Sequence, residues 1–202
     1  MVDRPLVSLL LIALPLIVLF AMEILSRRTR VQPEVTRKIS HIVLGSIAVL
    51  GFLEGPIWLY AASIAALSLY VFTSLRKKRL RSLHGVERST YGALFLPLGL
   101  LAPLPLTFDA PEVYIFSILI VTFADSAAGL VGFLLKRTQK SMLGSTVFFA
   151  VTALILFAYP IVLPPFVLIG IAVAVTLVER YSIYGSDNLT IPFAAAALLL
   201  LF

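Results

Sequence analysis

The chain contains no cysteine, which excludes disulfides, thiolate metal sites and cysteine nucleophiles and leaves its redox compartment undetermined. Charge is also scarce, at 13% of residues against about 25% in an average soluble domain. A Walker A sequence, a GxGxxG loop, a GxSxG elbow and an HExxH helix are all missing, so any nucleotide must be held by a site unlike that of soluble kinases. No internal repeat or low-complexity linker divides the chain, and residues 1–202 read as one integral membrane domain.

Apolar sequence is what the chain has in excess: 60% of its 202 residues are hydrophobic and its mean hydropathy is +1.06. That leaves no polar exterior for a soluble fold, and most of the chain must lie in lipid. The runs fall at roughly 6–25, 39–53, 56–75, 91–106, 112–135, 144–159, 162–178 and 189–202. With about 20 residues per spanning helix, they predict an all-α polytopic membrane helix bundle of about eight transmembrane segments. The second run lengthens if its helix begins at Pro33, and the last, about 20 Å long at 1.5 Å per residue, is a shallow or partial crossing. Pro56, Pro111 and the Pro164–Pro165 pair stand where helices begin, positions that need no amide donor.

Lys and Arg show how the bundle is oriented. Of 16, five fall in segment 26–38, six in 76–90, three in 136–143 and one in 179–188, and only Arg4 lies elsewhere. The opposite turns hold Glu54, Asp109 and Glu112 without a cation. The positive-inside rule therefore puts those four segments in the cytoplasm and the N-terminus outside, with the first run as an uncleaved anchor. In a soluble protein a pI near 9.8 suggests nucleic acid, but here the basic residues orient helices and attract anionic lipid head groups, and no nucleic-acid partner is expected. The run Arg76–Arg81 reads first as a lipid-facing loop.

The same segments hold nearly every polar residue suited to chemistry. On a helix starting near Pro33, Arg37, Lys38 and His41 share a face, which places two cations and a titratable ring at the mouth of the bundle. A snorkelling anchor explains Arg37 and Lys38 alone, though His41 inside the apolar boundary fits that reading poorly. Asp125 lies inside the fifth run, where a carboxylate costs about 2.5–3.5 kcal/mol on insertion scales and is functional by default. Ala128, Gly129 and Gly132 continue its stripe with small residues that admit a helix or a ligand.

Lys140, Ser141 and Gly144 precede the sixth run, a setting suited to phosphate but also explained by an ordinary N-cap. Glu179, Asp187 and Asn188 offer oxygen ligands for a hard cation, with helix capping as the alternative for Asp187 and Asn188. Arg88 stands before the fourth run. Carboxylates for Mg²⁺ beside cations for phosphates are what phosphoryl or nucleotidyl transfer requires.

Arg37-Lys38-Ile39-Ser40-His41, Arg88-Ser89 with Tyr91-Gly92, Asp125 with Ala128 and Gly132, Lys140-Ser141 with Gly144-Ser145, and Glu179 followed by Gly185 and Asp187-Asn188 cover positions 37–192 in order. The ordered set resembles the membrane family of phytol, farnesol and dolichol kinases and CTP-dependent diacylglycerol kinases. The resemblance implies a lipid-alcohol kinase that uses CTP, with ATP or another nucleoside triphosphate not excluded, and Mg²⁺. Its acceptor is an isoprenoid alcohol or diacylglycerol at the cytoplasmic membrane face. The catalytic set is then Asp125, His41 and Lys140. Nucleotide binding falls to Arg37, Lys38, Arg88, Lys140, Ser141, Gly144 and Asn188, and metal binding to Asp125, Glu179 and Asp187. Asp125 serves as a metal ligand or as the base for the alcohol, and the oligomeric state is left open. A phosphatidate cytidylyltransferase-like enzyme is the nearest alternative. A small secondary transporter comes next, although its polar residues belong near the midplane and not at one interface.

Overall fold

A computed structural model describes residues 5–29, 31–76, 91–136, 139–160 and 163–202. These form helices and connecting turns without a strand. The chain divides into two compact units, Met1–Glu87 and Arg88–Phe202.

The first unit contains α1 (Pro5–Arg28), α2 (Pro33–Glu54) and α3 (Ile57–Arg76). Pro33 opens α2, where its missing amide donor is not needed, and Gly55 closes it by donating to the Gly51 carbonyl. An edge-to-face contact between Phe52 and Tyr60, with centroids 6.0 Å apart, ties the end of α2 to the start of α3.

The second unit contains α4 (Gly92–Leu101), α5 (Pro111–Leu134), α6 (Met142–Phe157), α7 (Pro165–Tyr181) and α8 (Asp187–Leu199). The fourth apolar run yields a helix that stops at Leu101. Pro103 and Pro105 bias the residues before them away from helical geometry, and turns continue to Asp109. Helices α5 and α8 are central: α8 packs on α4, α5 and α7, while α5 also packs on α6. Ile120, Val121, Phe148, Val175 and Ile191 meet in their core, and Ala195 and Ala196 let α8 come close to its neighbours.

Among the described residues, three helices, Pro33–Glu54, Ile57–Ser74 and Pro111–Leu134, are long and apolar enough to cross a membrane. Gly92–Leu101, Met142–Phe157 and Asp187–Leu199 are apolar but shorter. The outer surface is apolar too, with Trp58, Leu154 and Phe166 at least 70% exposed. Such a surface is suited to lipid and not to water.

Helices α4 and α8 pack closely in the second unit. A Cβ added to Gly99 would sit 1.9 Å from the Asn188 carbonyl oxygen and 3.2 Å from the Leu189 Cα. Both neighbours are backbone and cannot swing aside. Gly99→Ala should therefore force the helices apart and destabilise the second unit by about 1–3 kcal/mol or more. Thermal unfolding of purified protein in detergent would measure this as a lowered Tm, and an unchanged Tm would mean that the helices can separate freely here.

Candidate functional site

Three chain segments meet at one end of the second unit. Ser141 caps α6 with extended backbone geometry, its Oγ accepting from the Gly144 amide at 3.0 Å. Beyond α7, Tyr184 and Gly185 take left-handed conformations with φ of 53° and 82°. They turn the chain so that α8 opens on Asp187, whose charge suits the positive end of a helix. The Tyr184 carbonyl accepts from the Tyr91 amide at 2.9 Å, which brings the start of α4 to the same end.

Lys140 is the hub of this end. Its Nζ lies 2.8 Å from Glu179 Oε1 and 2.9 Å from Asp187 Oδ2, and it also donates to the Glu179 carbonyl. Burial alone lowers the pKa of this ammonium, but the charges of Asp187 and Glu179 and the hydrogen bonds to them outweigh burial and raise it above the ordinary lysine value. Ser145 extends the cluster: its Oγ donates to Glu179 Oε2 at 3.4 Å and accepts from Arg180 Nη1 at 3.3 Å. Two carboxylates and two cations thus share one site. Arg180 is absent from the set chosen by sequence, although its position next to Glu179 at a helix end was a visible signal.

Asp125 reaches the neighbourhood from α5. Residues Ile120–Asp125 form a π-helical turn, and Asp125 ends it with 6% of its surface exposed. Such turns are frequent at functional sites. Helices α5 and α6 approach closely just beyond it, since a Cβ on Gly144 would lie 3.6 Å from the Ala128 carbonyl oxygen. Asp125 is three residues from Ala128, about 4.5 Å of helix, and so lies slightly deeper than the end where Lys140, Glu179 and Asp187 meet.

Other residues chosen by sequence have other partners. Asn188 Nδ2 donates to the Gly92 carbonyl at 2.7 Å and so fastens α8 to the start of α4, while its backbone amide donates to Asp187 Oδ1 at 3.0 Å. Gly144 faces the Ala128 carbonyl of α5, and the Ser141 hydroxyl is engaged in its cap. Arg37, Lys38 and His41 belong to the first unit, where Lys38 and His41 are buried and Arg37 Nη2 bonds Glu34 Oε1 at 2.6 Å. Arg88 and residues 77–81 of the basic run lie outside the described residues.

Glu179 and Asp187 suit a hard divalent cation. Their carboxylates converge on the Lys140 ammonium, so Mg²⁺, which is usually held by one or two carboxylates completed by phosphate and water, would take oxygens that here bond Lys140. Among the described residues, no group of three or more His, Cys, Asp and Glu is placed to hold a metal ion. Asp125 is thus not gathered with Glu179 and Asp187 into one carboxylate cage.

The chain is 30% identical over 201 residues to the phytol kinase of Synechocystis sp., an alignment covering 89% of this chain and 84% of that protein. No protein-family model matches the chain, and no solved structure matches it.

Proposed function

The chain belongs to the phytol kinase family, and from that premise we propose that it is a lipid-alcohol kinase, transferring the γ-phosphoryl group of CTP to the hydroxyl of an isoprenoid alcohol in the membrane. The observation that carries this reading is the placement of the Lys140–Glu179–Asp187 cluster at the mouth of the second unit, with the buried Asp125 carboxylate slightly deeper. A polyphosphate belongs at the charged mouth, and an alcohol arriving from lipid belongs beside the deeper acid.

Lys140 and Arg180 hold the phosphates, since charge-assisted hydrogen bonds are the strong ones available to an anion. Glu179 and Asp187 would hold Mg²⁺, which supplies neutralisation of phosphate charge when bound. Asp125 accepts the alcohol proton as the alcohol oxygen bonds the γ-phosphorus and the bond from that phosphorus to the β–γ bridging oxygen breaks, releasing CDP. Exclusion of water at Asp125, 6% exposed, favours the lipid hydroxyl over hydrolysis.

The deciding assay incubates purified protein with CTP labelled at the γ or the α position and a panel of prenols, polyprenols and diacylglycerol, followed by thin-layer separation. Label reaching an isoprenoid alcohol only from the γ position is expected. Label from the α position would make the chain a cytidylyltransferase, and transport into vesicles without nucleotide would make it a carrier.

We also propose eight crossings with the N-terminus outside and the Lys140 end in the cytoplasm, on the strength of the basic segments. A cysteine placed at the exposed Gln139 should react with an impermeant thiol reagent from the cytoplasmic side only, and one at the exposed Asp109 from outside only. Labelling of both from one side would end the eight-crossing arrangement.

A further inference from the structure

Most hydroxyls in these helices bond back to their own backbone. Ser40, Ser68 and Thr176 donate to carbonyls four residues earlier at 2.7–2.9 Å. Ser117, fully buried on α5, donates to the Tyr114 carbonyl at 2.7 Å. Three fully buried hydroxyls depart from this habit: Thr122 and Ser126 on α5 and Thr152 on α6 have no hydrogen-bond partner among the described residues.

Their positions are related. Thr122 and Ser126 stand four residues apart across the π turn, close to one full turn, with Asp125 directly before Ser126 in the chain. Thr152 lies on the facing helix at similar depth. Measured from the Ala128–Gly144 approach, Thr122 is about 9 Å and Thr152 about 12 Å further along its helix. An apolar bundle offers such hydroxyls no bulk water, and a buried hydroxyl without a partner is unfavourable.

We propose that Thr122 and Ser126, flanking Asp125, seat the hydroxyl group of the lipid-alcohol acceptor. The assignment rests on the kinase reading and adds to it the residues that recognise the acceptor's alcohol group. Thr122 Oγ1 and Ser126 Oγ each offer a donor and two acceptor lone pairs. Together they hold the acceptor oxygen and leave its proton for Asp125. An alcohol is thereby distinguished from a hydrocarbon or ester of the same shape, because only the alcohol satisfies the buried hydroxyls.

The test uses full-length protein in nanodiscs with phytol as acceptor and CTP as donor, and measures the KM of each separately. Thr122→Val and Ser126→Ala remove a hydroxyl while nearly keeping shape, so each should lower kcat/KM for phytol by about 2- to 10-fold, and the pair by more, the scale of one neutral hydrogen bond apiece. The KM for CTP should stay within about twofold. Thr122→Ser, which keeps the hydroxyl, should recover most of the phytol efficiency. Tm should hold or rise in the Val and Ala variants, because an unpartnered buried polar group is removed. Unchanged phytol kinetics in the double variant of an active enzyme, with Tm raised, would assign these hydroxyls to internal water and overturn the acceptor seat while leaving the kinase reading intact. A wild-type protein inactive on every alcohol of the panel would instead overturn the kinase reading, and the seat with it.

Discussion

Asp125→Asn should abolish most of the phosphoryl transfer while leaving the protein folded and inserted. The substitution keeps size and most hydrogen-bonding capacity but removes the charge. An Asn is less costly than an Asp within an apolar helix, so Tm should hold or rise. The amide cannot accept the alcohol proton at neutral pH, and loss of a positioned base lowers turnover by about 10²-fold or more. The loss should appear in kcat with little change in the KM for CTP, because Asp125 is not gathered with Glu179 and Asp187 into one carboxylate group. Near-normal turnover in this variant would remove Asp125 from the reaction and leave the π turn at Ile120–Asp125 as packing alone.

Lys140→Met should damage both stability and activity, and a second substitution should separate the two effects. Its ammonium is shared by Glu179 and Asp187 at 2.8 and 2.9 Å, and the Glu179 side chain is 6% exposed. Removing the cation leaves two neighbouring carboxylates without it. In fully buried pairs such a loss costs about 3–5 kcal/mol, and the figure here is lower because the Lys140 side chain is 24% exposed. Activity should fall by about 10²–10³-fold, the scale of losing one preorganised donor to developing charge. Adding Glu179→Gln to Lys140→Met removes one of the stranded charges, so Tm should recover in part while activity stays low. A Lys140→Met protein with wild-type Tm and kinetics would leave this lysine without a role at the site.

The pH dependence of stability follows from the same contacts. The folded-state pKa of Lys140 is raised, so its contribution is fully present below the unfolded lysine value of about 10.4 and is lost as pH rises through the folded value. Wild-type Tm should lose this contribution only at strongly alkaline pH, and Lys140→Met should lack that loss.

Local rules read well in this chain where the cause is itself local. Pro33, Pro111 and Pro165 begin α2, α5 and α7, because a proline needs no amide partner in the first turn whatever packs around it. Glu179 and Asp187 stand out in the sequence as two acids separated by a short loop, and both reach the Lys140 ammonium. Arg37 has a local partner too. It is a cation at a helix start, and its guanidinium bonds Glu34, one turn earlier on the same helix. The π turn that carries Asp125 left no trace in residue types, since one extra residue in a helical turn is set by how α5 fits against α6 and α8.

By itself the sequence determined that this chain is apolar enough to live in lipid, where its helices begin, and that its cations and acids gather in the segments between them, because hydropathy, proline geometry and charge are properties of residues and near neighbours. Only the tertiary structure decided which of those groups meet. Lys140 finds Glu179 and Asp187 across 39 and 47 residues of chain, Asn188 turns its amide to Gly92, and the Thr122 and Ser126 hydroxyls remain without partners beside Asp125. Each outcome depends on the distance between packed helices. A small residue such as Gly99 sets that distance, and its effect appears only once its neighbours are in place.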